Sequence, residues 1–439
     1  MDLRKKMILT VVLLSYFLTA LNVSIVLTGL NHIMEDLGLS AMALGWVQNG
    51  YVLAFGGCIL LGGKLGDVYG RRPVMVGSLA LAGLGSVLAG ISWDAPSLIA
   101  ARIAQGVGAA VLAPTSLALL MDTFKGRELV KAVAWYSSIS GLGASAGLVL
   151  GGVLADFLSW RVGFYMTVPV AALMIALSWR FILPKETAHA RFDVLGTVLS
   201  VLGIFSLVYA MNGAESKALW FLAAVILLGG FLYVETKADE PVMPLGLFRN
   251  PVRRDAYAAR FVYLGATFSF WFYISLYLQK VMNVTPLLTG LAFLPMTIPQ
   301  FAAAILTPGL LQSRGDRQVL FLAGGLTFLG FLGMVFVDAE SSFWLHLVLP
   351  LILLGFGQGF ALSPLTNYGI YKAGENERGA ASGLVNVSHQ IGGSVGLSIM
   401  LMISGKDASP MTGFHNGMLI GLILVAGMLL LTLRLPKRI

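Results

Sequence analysis

The sequence predicts an all-α polytopic membrane protein of fourteen transmembrane helices. Three observations carry that prediction. Hydrophobic residues make up 57% of the 439-residue chain and charged residues 11%, with a mean hydropathy of +0.84; soluble domains carry about 25% charged residues. A helix crosses a bilayer with about 20 mostly apolar residues, and runs of that length follow one another almost from end to end. Of the 29 Lys and Arg, 24 lie at the two ends and on alternate loops, four (Arg161, Lys217, Lys280, Lys406) lie on the opposite loops, and Arg102 lies inside a span. Positive residues gather on cytoplasmic loops, and an even number of spans returns the chain to its starting side, so both termini are expected in the cytoplasm. The net charge of +8 therefore reads as membrane topology, and no nucleic-acid partner is expected.

The spans fall at 7–29, 46–66, 73–92, 96–121, 132–157, 162–183, 194–212, 217–234, 257–279, 287–311, 318–338, 343–366, 380–402 and 412–434. The first follows MDLRKK, an opening that mimics a signal peptide. Its apolar run is too long for that and lacks a clear small-residue cleavage site. It carries Asn22, an amide placed to bond a neighbouring helix or to touch substrate. The second and third spans are joined by residues 62–73, GGKLGDVYGRRP. Its glycines, Gly63 and Gly70 among them, let helix ends approach closely. Asp67, Arg71 and Arg72 are left at the membrane surface, where the acid can pair with an arginine or face a helix N-terminus.

This hairpin resembles the signature loop of the major facilitator superfamily, roughly G-x-L-x-D-x-x-G-R-R. Other stretches carry the resemblance along most of the chain. The fourth span reads RIAQGVGAAVLAP, with an R-x-x-Q-G-x-G pattern similar to the superfamily's fourth-helix motif, and includes Arg102 and Gln105. The fifth, SGLGASAGLVLGGVLAD, is similar to the antiporter motif G-x-x-x-G-P-x-x-G-G, with Leu148 where proline is usual. PLGLFRN, before the ninth span, is typical of the fourteen-helix drug/proton antiporter branch. YLQKVMNVTPLLTGLAFLP and ERGAASGLVNVSHQIGGSVG resemble that branch as well. There the first helix usually carries an aspartate where Asn22 stands. The signature hairpin recurs weakly as GLLQSRGDR from Gly309, with Ser313 in the place of Asp67.

The resemblance implies a major facilitator fold: an N-terminal six-helix bundle at 1–183, an inserted helix pair and amphipathic connector at 184–250, and a C-terminal six-helix bundle at 251–439. It implies alternating access about a central cavity, with Asp67, Arg71, Arg72, Gly63 and Gly70 forming a conformational gate. The implied activity is export of lipophilic small molecules across the cytoplasmic membrane by proton antiport. An intramembrane arginine is costly and faces a cavity or an acceptor, and the family links Arg102's position to proton coupling. None of the 21 acids sits mid-helix. Asp156, at an outer helix end, can attract cations or protons, or simply pair with Arg161. His389 titrates near neutral pH or makes a neutral helix–helix bond. Candidate cavity residues are Asn22, Gln105, Trp271, Tyr273, Asn386 and Gln390.

No Walker pattern, Cys/His cluster or HExxH motif occurs, so neither an ATP engine, nor a metal, nor a cofactor, nor enzymatic catalysis is expected. Cys58 is alone and reads as a packing residue, and the sequon at Asn283 hugs the membrane. The expected partners are a lipophilic substrate, protons and the lipid bilayer, with the protein acting as a monomer. Two alternatives stand beside export by antiport. One is a dedicated metabolite exporter or facilitator without proton coupling, favoured by the missing acids and Leu148. The other is a non-transporting membrane sensor, disfavoured because no cytoplasmic loop is large enough for an output domain.

Overall fold

The structure is a computed structural model that describes residues 2–184, 193–212, 216–238, 241, 243–374, 378–404 and 409–438. The surroundings of Gly63 and Asp67 within their helix lie outside the described residues, as do Lys185, Arg191 and Lys406. The described secondary structure is helical, and twelve helices among the described residues are long and apolar enough to cross a membrane. The chain divides into two compact units.

The first unit comprises Met1–Ser206, Leu222–Val242 and Thr285–Gly290. It holds α1 (Leu3–Asp36), α2 (Ala41–Val68), α3 (Arg71–Gly90), α4 (Ala95–Thr123), α5 (Gly126–Phe157), α6 (Trp160–Tyr165) and α7 (Thr167–Phe181), with most of α8 (Val194–Asn212) and α9 (Lys217–Lys237). Several helices outrun the apolar stretches that announced them, because polar caps carry them on. Ser40 accepts from the Ala43 N–H to start α2. Asp94 and Ser97 form a capping box at α4: the carboxylate accepts from the Ser97 N–H at 2.9 Å and the Ser97 hydroxyl accepts from the Asp94 N–H at 3.2 Å. Small residues then set the packing. Gly143, Gly147 and Gly151, one turn apart on α5, face Phe17–Ala20, Leu21–Ser24 and Ile25–Thr28 of α1 in step, so the two helices lie in contact along their length.

The second unit comprises Leu207–Phe221, Met243–Val284 and Leu291–Ile439. It holds α10 (Pro251–Lys280), α12 (Leu294–Arg314), α13 (Asp316–Val335), α14 (Val348–Gly369), α15 (Arg378–Ser404) and α16 (Pro410–Thr432); the short α11 (Pro286–Ala292) precedes α12. Asn250 caps α10 by accepting from the Val252 and Arg253 N–H groups, and Pro251 occupies its first turn. The helix thus begins before the apolar run at 257. Arg260, which the charge count placed with the cytoplasmic loops, lies nine residues inside it, about 13 Å along the axis.

Packing within the two units repeats. α1 packs on α5 and α10 on α15; α4 packs on α2 and α3, as α14 does on α12 and α13. Alternate glycines make this possible: Gly106 admits Tyr51 of α2 while Gly108 admits Ser78 and Ala82 of α3, and Gly355 admits Met296 of α12 while Gly357 admits Thr327 of α13. The G-x-G pattern of α4 is therefore a helix-crossing device. The hairpins repeat too, with a corrected register. Gly70 (φ +86°) precedes α3 and Gly315 (φ +82°) precedes α13, a left-handed conformation open to glycine. Aligning those turns puts Gln312, not Ser313, opposite Asp67.

Candidate functional site

Arg102 is the largest fully buried side chain of the first unit's interior, with no exposed surface. Every group that holds it is neutral. Its Nε donates to the Val47 carbonyl at 3.3 Å, and its Nη1 donates to the Asn22 carbonyl at 3.4 Å and to Gln105 Oε1 at 2.8 Å. The guanidinium carbon lies 4.4 Å from the Tyr51 ring centroid, a cation–π contact made stronger by burial. Nη2 has no hydrogen-bond partner, and no carboxylate of the described residues pairs with Arg102.

Helix geometry explains the assembly. Arg102 and Gln105 are three residues apart and share a face of α4; Gln105 extends that face to α3 and α1, donating to Ser86 Oγ at 2.8 Å and meeting Asn22 Oδ1 at 3.5 Å. Thr167 of α7 closes the chain with its hydroxyl 2.9 Å from Ser86 Oγ. Asn22, Tyr51, Ser86, Gln105 and Thr167 line a cavity of about 20 Å³, room for about one water molecule. Gln48 and Tyr51 of α2 are also buried, and neither the Gln48 amide nor the Tyr51 hydroxyl has a partner. Three of the sequence-selected residues, Asn22, Arg102 and Gln105, therefore come together. Gln48, Tyr51, Ser86 and Thr167 were missed, although Gln48 stands out as an amide within an apolar run.

The second unit gathers a different set. Arg260 is 5% exposed and donates from Nη1 to Thr366 Oγ1 at 2.9 Å and to the Leu362 carbonyl at 3.2 Å, while Nη2 meets His389 Nδ1 at 3.2 Å. A guanidinium has only donors, so Nδ1 is the acceptor and the imidazole proton sits on Nε2. His389 is thus bonded between α10 and α15, the neutral helix–helix bond among the two readings of that residue. Trp271 donates to Gln358 Oε1 at 3.4 Å and stacks on Phe293. Tyr273 is buried, its hydroxyl meets Ser404 Oγ, and Gly413 and Gly417 of α16 pack on its ring. Asn386 is exposed and donates to the Ser382 carbonyl, and Gln390 is half-buried.

Among the charged end residues, Arg71 pairs with Asp122 of α4 at 3.4 Å, and Arg72 lies 4.1 Å above the Trp179 ring. With Arg4, Lys5 and Asp2, Arg71 and Asp122 border a cavity of about 440 Å³. Asp156 is exposed and is not the partner of Arg161. Arg161 pairs instead with Asp36, which also accepts from Trp160 Nε1, and donates to the Ser92 carbonyl. At the other cap of this region, the Ser97 hydroxyl and N–H beside Asp94 hold its carboxyl below the usual range.

The family model of the Major Facilitator Superfamily matches residues 12–397. The chain belongs to the Major Facilitator Superfamily. It is 32% identical to the puromycin resistance protein pur8 of Streptomyces alboniger, over 97% of this chain and 89% of that one. It is 32% identical to the cephamycin export protein CmcT of Amycolatopsis lactamdurans over 90% of this chain and 84% of the relative. The multidrug resistance protein Stp of Mycobacterium tuberculosis is 30% identical, over 88% and 73% of the two chains. The crystal structure of the nucleoside transporter NupG superposes with a TM-score of 0.67 at 13% identity, covering 98% of this chain and 98% of that one, a likeness of fold alone. As a superfamily member the protein is a multi-pass membrane transporter and not an enzyme.

Proposed function

We propose that this protein exports lipophilic small molecules of the antibiotic class from the cytoplasm by alternating access, coupled to proton antiport. The observation that carries the reading is Arg102: a buried cation with neutral partners and one unpartnered nitrogen, inside a fold whose relatives are named for resistance and export. A charge held this way costs stability, and an ionisable residue kept inside a membrane marks a functional site, substrate and ion pathways among them. In this reading α2 and α5, of 28 and 32 residues, cross the membrane with the twelve apolar helices, giving fourteen. The domains are the six-helix bundles at 1–183 and 251–439 with the inserted pair between them, both termini are cytoplasmic, and the protein works as a monomer in the cell membrane. Asp67, Arg71 and Arg72 with Gly63 and Gly70 form the gate, and Arg102, Asp156 and His389 are the coupling candidates.

One observation favours a second reading, a facilitator or metabolite exporter without proton coupling. Asn22 beside Gln105 is an amide, which binds no proton at physiological pH. Everted vesicles with an acidic interior separate the two. Substrate-dependent proton efflux that Arg102→Ala abolishes supports antiport; substrate flux without any proton signal sinks it and leaves the facilitator.

A further inference from the structure

The unpartnered atoms around Arg102 specify the charge of what binds there. Four facts of the first unit converge. The guanidinium is fully buried, its described partners are carbonyl or amide oxygens and an aromatic face, and its Nη2 has no partner. Gln48, one residue beyond the carbonyl that receives Arg102 Nε, is buried with both amide atoms unpaired. The Tyr51 hydroxyl is likewise buried and unpaired. The adjoining cavity already has a polar wall of Asn22, Gln105, Ser86 and Thr167.

A buried cation without a counterion in low dielectric is an unfinished ion pair. The free N–H groups of Nη2 and the Tyr51 phenol O–H are donors, which suit an oxygen-rich anion. A lipophilic cation entering the same place gains no carboxylate and meets a fixed positive charge.

We infer that the first unit holds an anion subsite, in which Arg102 Nη2, with the Tyr51 hydroxyl on the neighbouring cavity wall, receives a carboxylate or sulfonate group of the transported amphiphile. The inference rests on the export reading above and deepens it by naming the substrate class. The cavity is water-sized and is walled by Tyr51 and Gln105, which touch Arg102, and not by Arg102 itself; in this proposal it widens toward the guanidinium to admit the headgroup during the transport cycle, while the apolar body of the substrate stays on the apolar part of its wall. Asn22 leaves Arg102 uncompensated; a carboxylate placed there would occupy the guanidinium in the substrate's stead.

The test uses the purified full chain and everted vesicles with three probes sharing one apolar body: pyrenebutyl sulfonate, pyrenebutanol and pyrenebutyl-trimethylammonium. Binding is followed by pyrene anisotropy and transport by uptake into the vesicles. The sulfonate is expected to bind about tenfold or more tightly than the ammonium, the equivalent of one unpaired buried charge satisfied. Asn22→Asp and Gln105→Glu each set a carboxylate against Arg102 by a different route. In whichever of them elutes as a folded monodisperse protein, the ratio of sulfonate to ammonium affinity falls at least tenfold; because a ratio is read, losses common to all probes cancel. Equal affinities for sulfonate and ammonium in the unmodified protein overturn the subsite, as does an unchanged ratio in a folded variant. Uptake of all three probes without a charge order leaves export standing and removes the anion subsite. A charge order in binding with no uptake does the reverse.

Discussion

At Arg102 the geometry separates stability from function. A guanidinium held by neutral groups, with Nη2 unpaired, is less favourable than an apolar side chain of similar length in the same space. Arg102→Met is therefore expected to keep or raise the melting temperature of the detergent-solubilised protein while abolishing export; a large loss of melting temperature would make the residue structural. His389 behaves in the opposite sense. Its Nδ1 accepts from Arg260, so His389→Leu leaves that donor short of an acceptor and destabilises by about 1–3 kcal/mol. His389→Gln, which restores an oxygen acceptor, recovers most of the loss in the same melting assay. Asp94 adds a pH dependence. Its carboxyl titrates below the usual value of 3.8 because Ser97 bonds the charged form. A depressed carboxyl stabilises the fold above its unfolded value and loses that contribution as the pH falls through the folded one. Asp94→Ala should thus melt lower than the parent at neutral pH, and the gap should close only below about pH 4.

At the level of elements, glycines decide which helices cross. Gly106 faces the backbone carbonyl of Tyr51, and Gly355 that of Met296. A backbone cannot turn aside as a side chain can, so Gly106→Leu or Gly355→Leu forces helices apart, costing more than the usual 1–3 kcal/mol of overpacking and yielding aggregated protein on size exclusion. Gly77, with open space around its Cα, is the control: Gly77→Ala should be neutral or stabilising by about 0.5–1 kcal/mol through helix propensity. The two hairpins tell a related story. Arg71 bonds Asp122 in the first unit and Asp316 accepts from Asn367 in the second, each 51 residues apart, each joining the first turn of one helix to the last turn of the next in the chain. The repeat kept the joint, moved the carboxylate to the other helix and put a neutral amide in place of the arginine. Replacing residues one for one between the halves by sequence alone therefore puts Ser313 opposite Asp67, whereas the turns align Gln312 there.

For the whole molecule, the charge asymmetry and the apolar runs lead to a topology that a reporter can read. A fluorescent protein fused after residue 439 should fold and fluoresce, as it does only on the cytoplasmic side, and a periplasmic reporter at the same place should stay silent; the opposite pattern would reverse the orientation argued from Lys and Arg. Apolar length, charge bias and the motifs of residues 62–73 and 102–114 sufficed by themselves for the helical membrane class and the superfamily, because each depends on residues near one another in the chain or on bulk hydrophobicity. Tertiary structure alone decided the rest. It placed Gln48, Tyr51, Ser86 and Thr167 beside Arg102, brought Arg260 to His389 across 129 residues, gave Arg161 to Asp36 instead of Asp156, and turned Tyr273 into the helix packing. Those choices depend on which face each helix turns to which neighbour, and that is set by close glycine crossings between distant segments, a relation no local stretch of sequence contains.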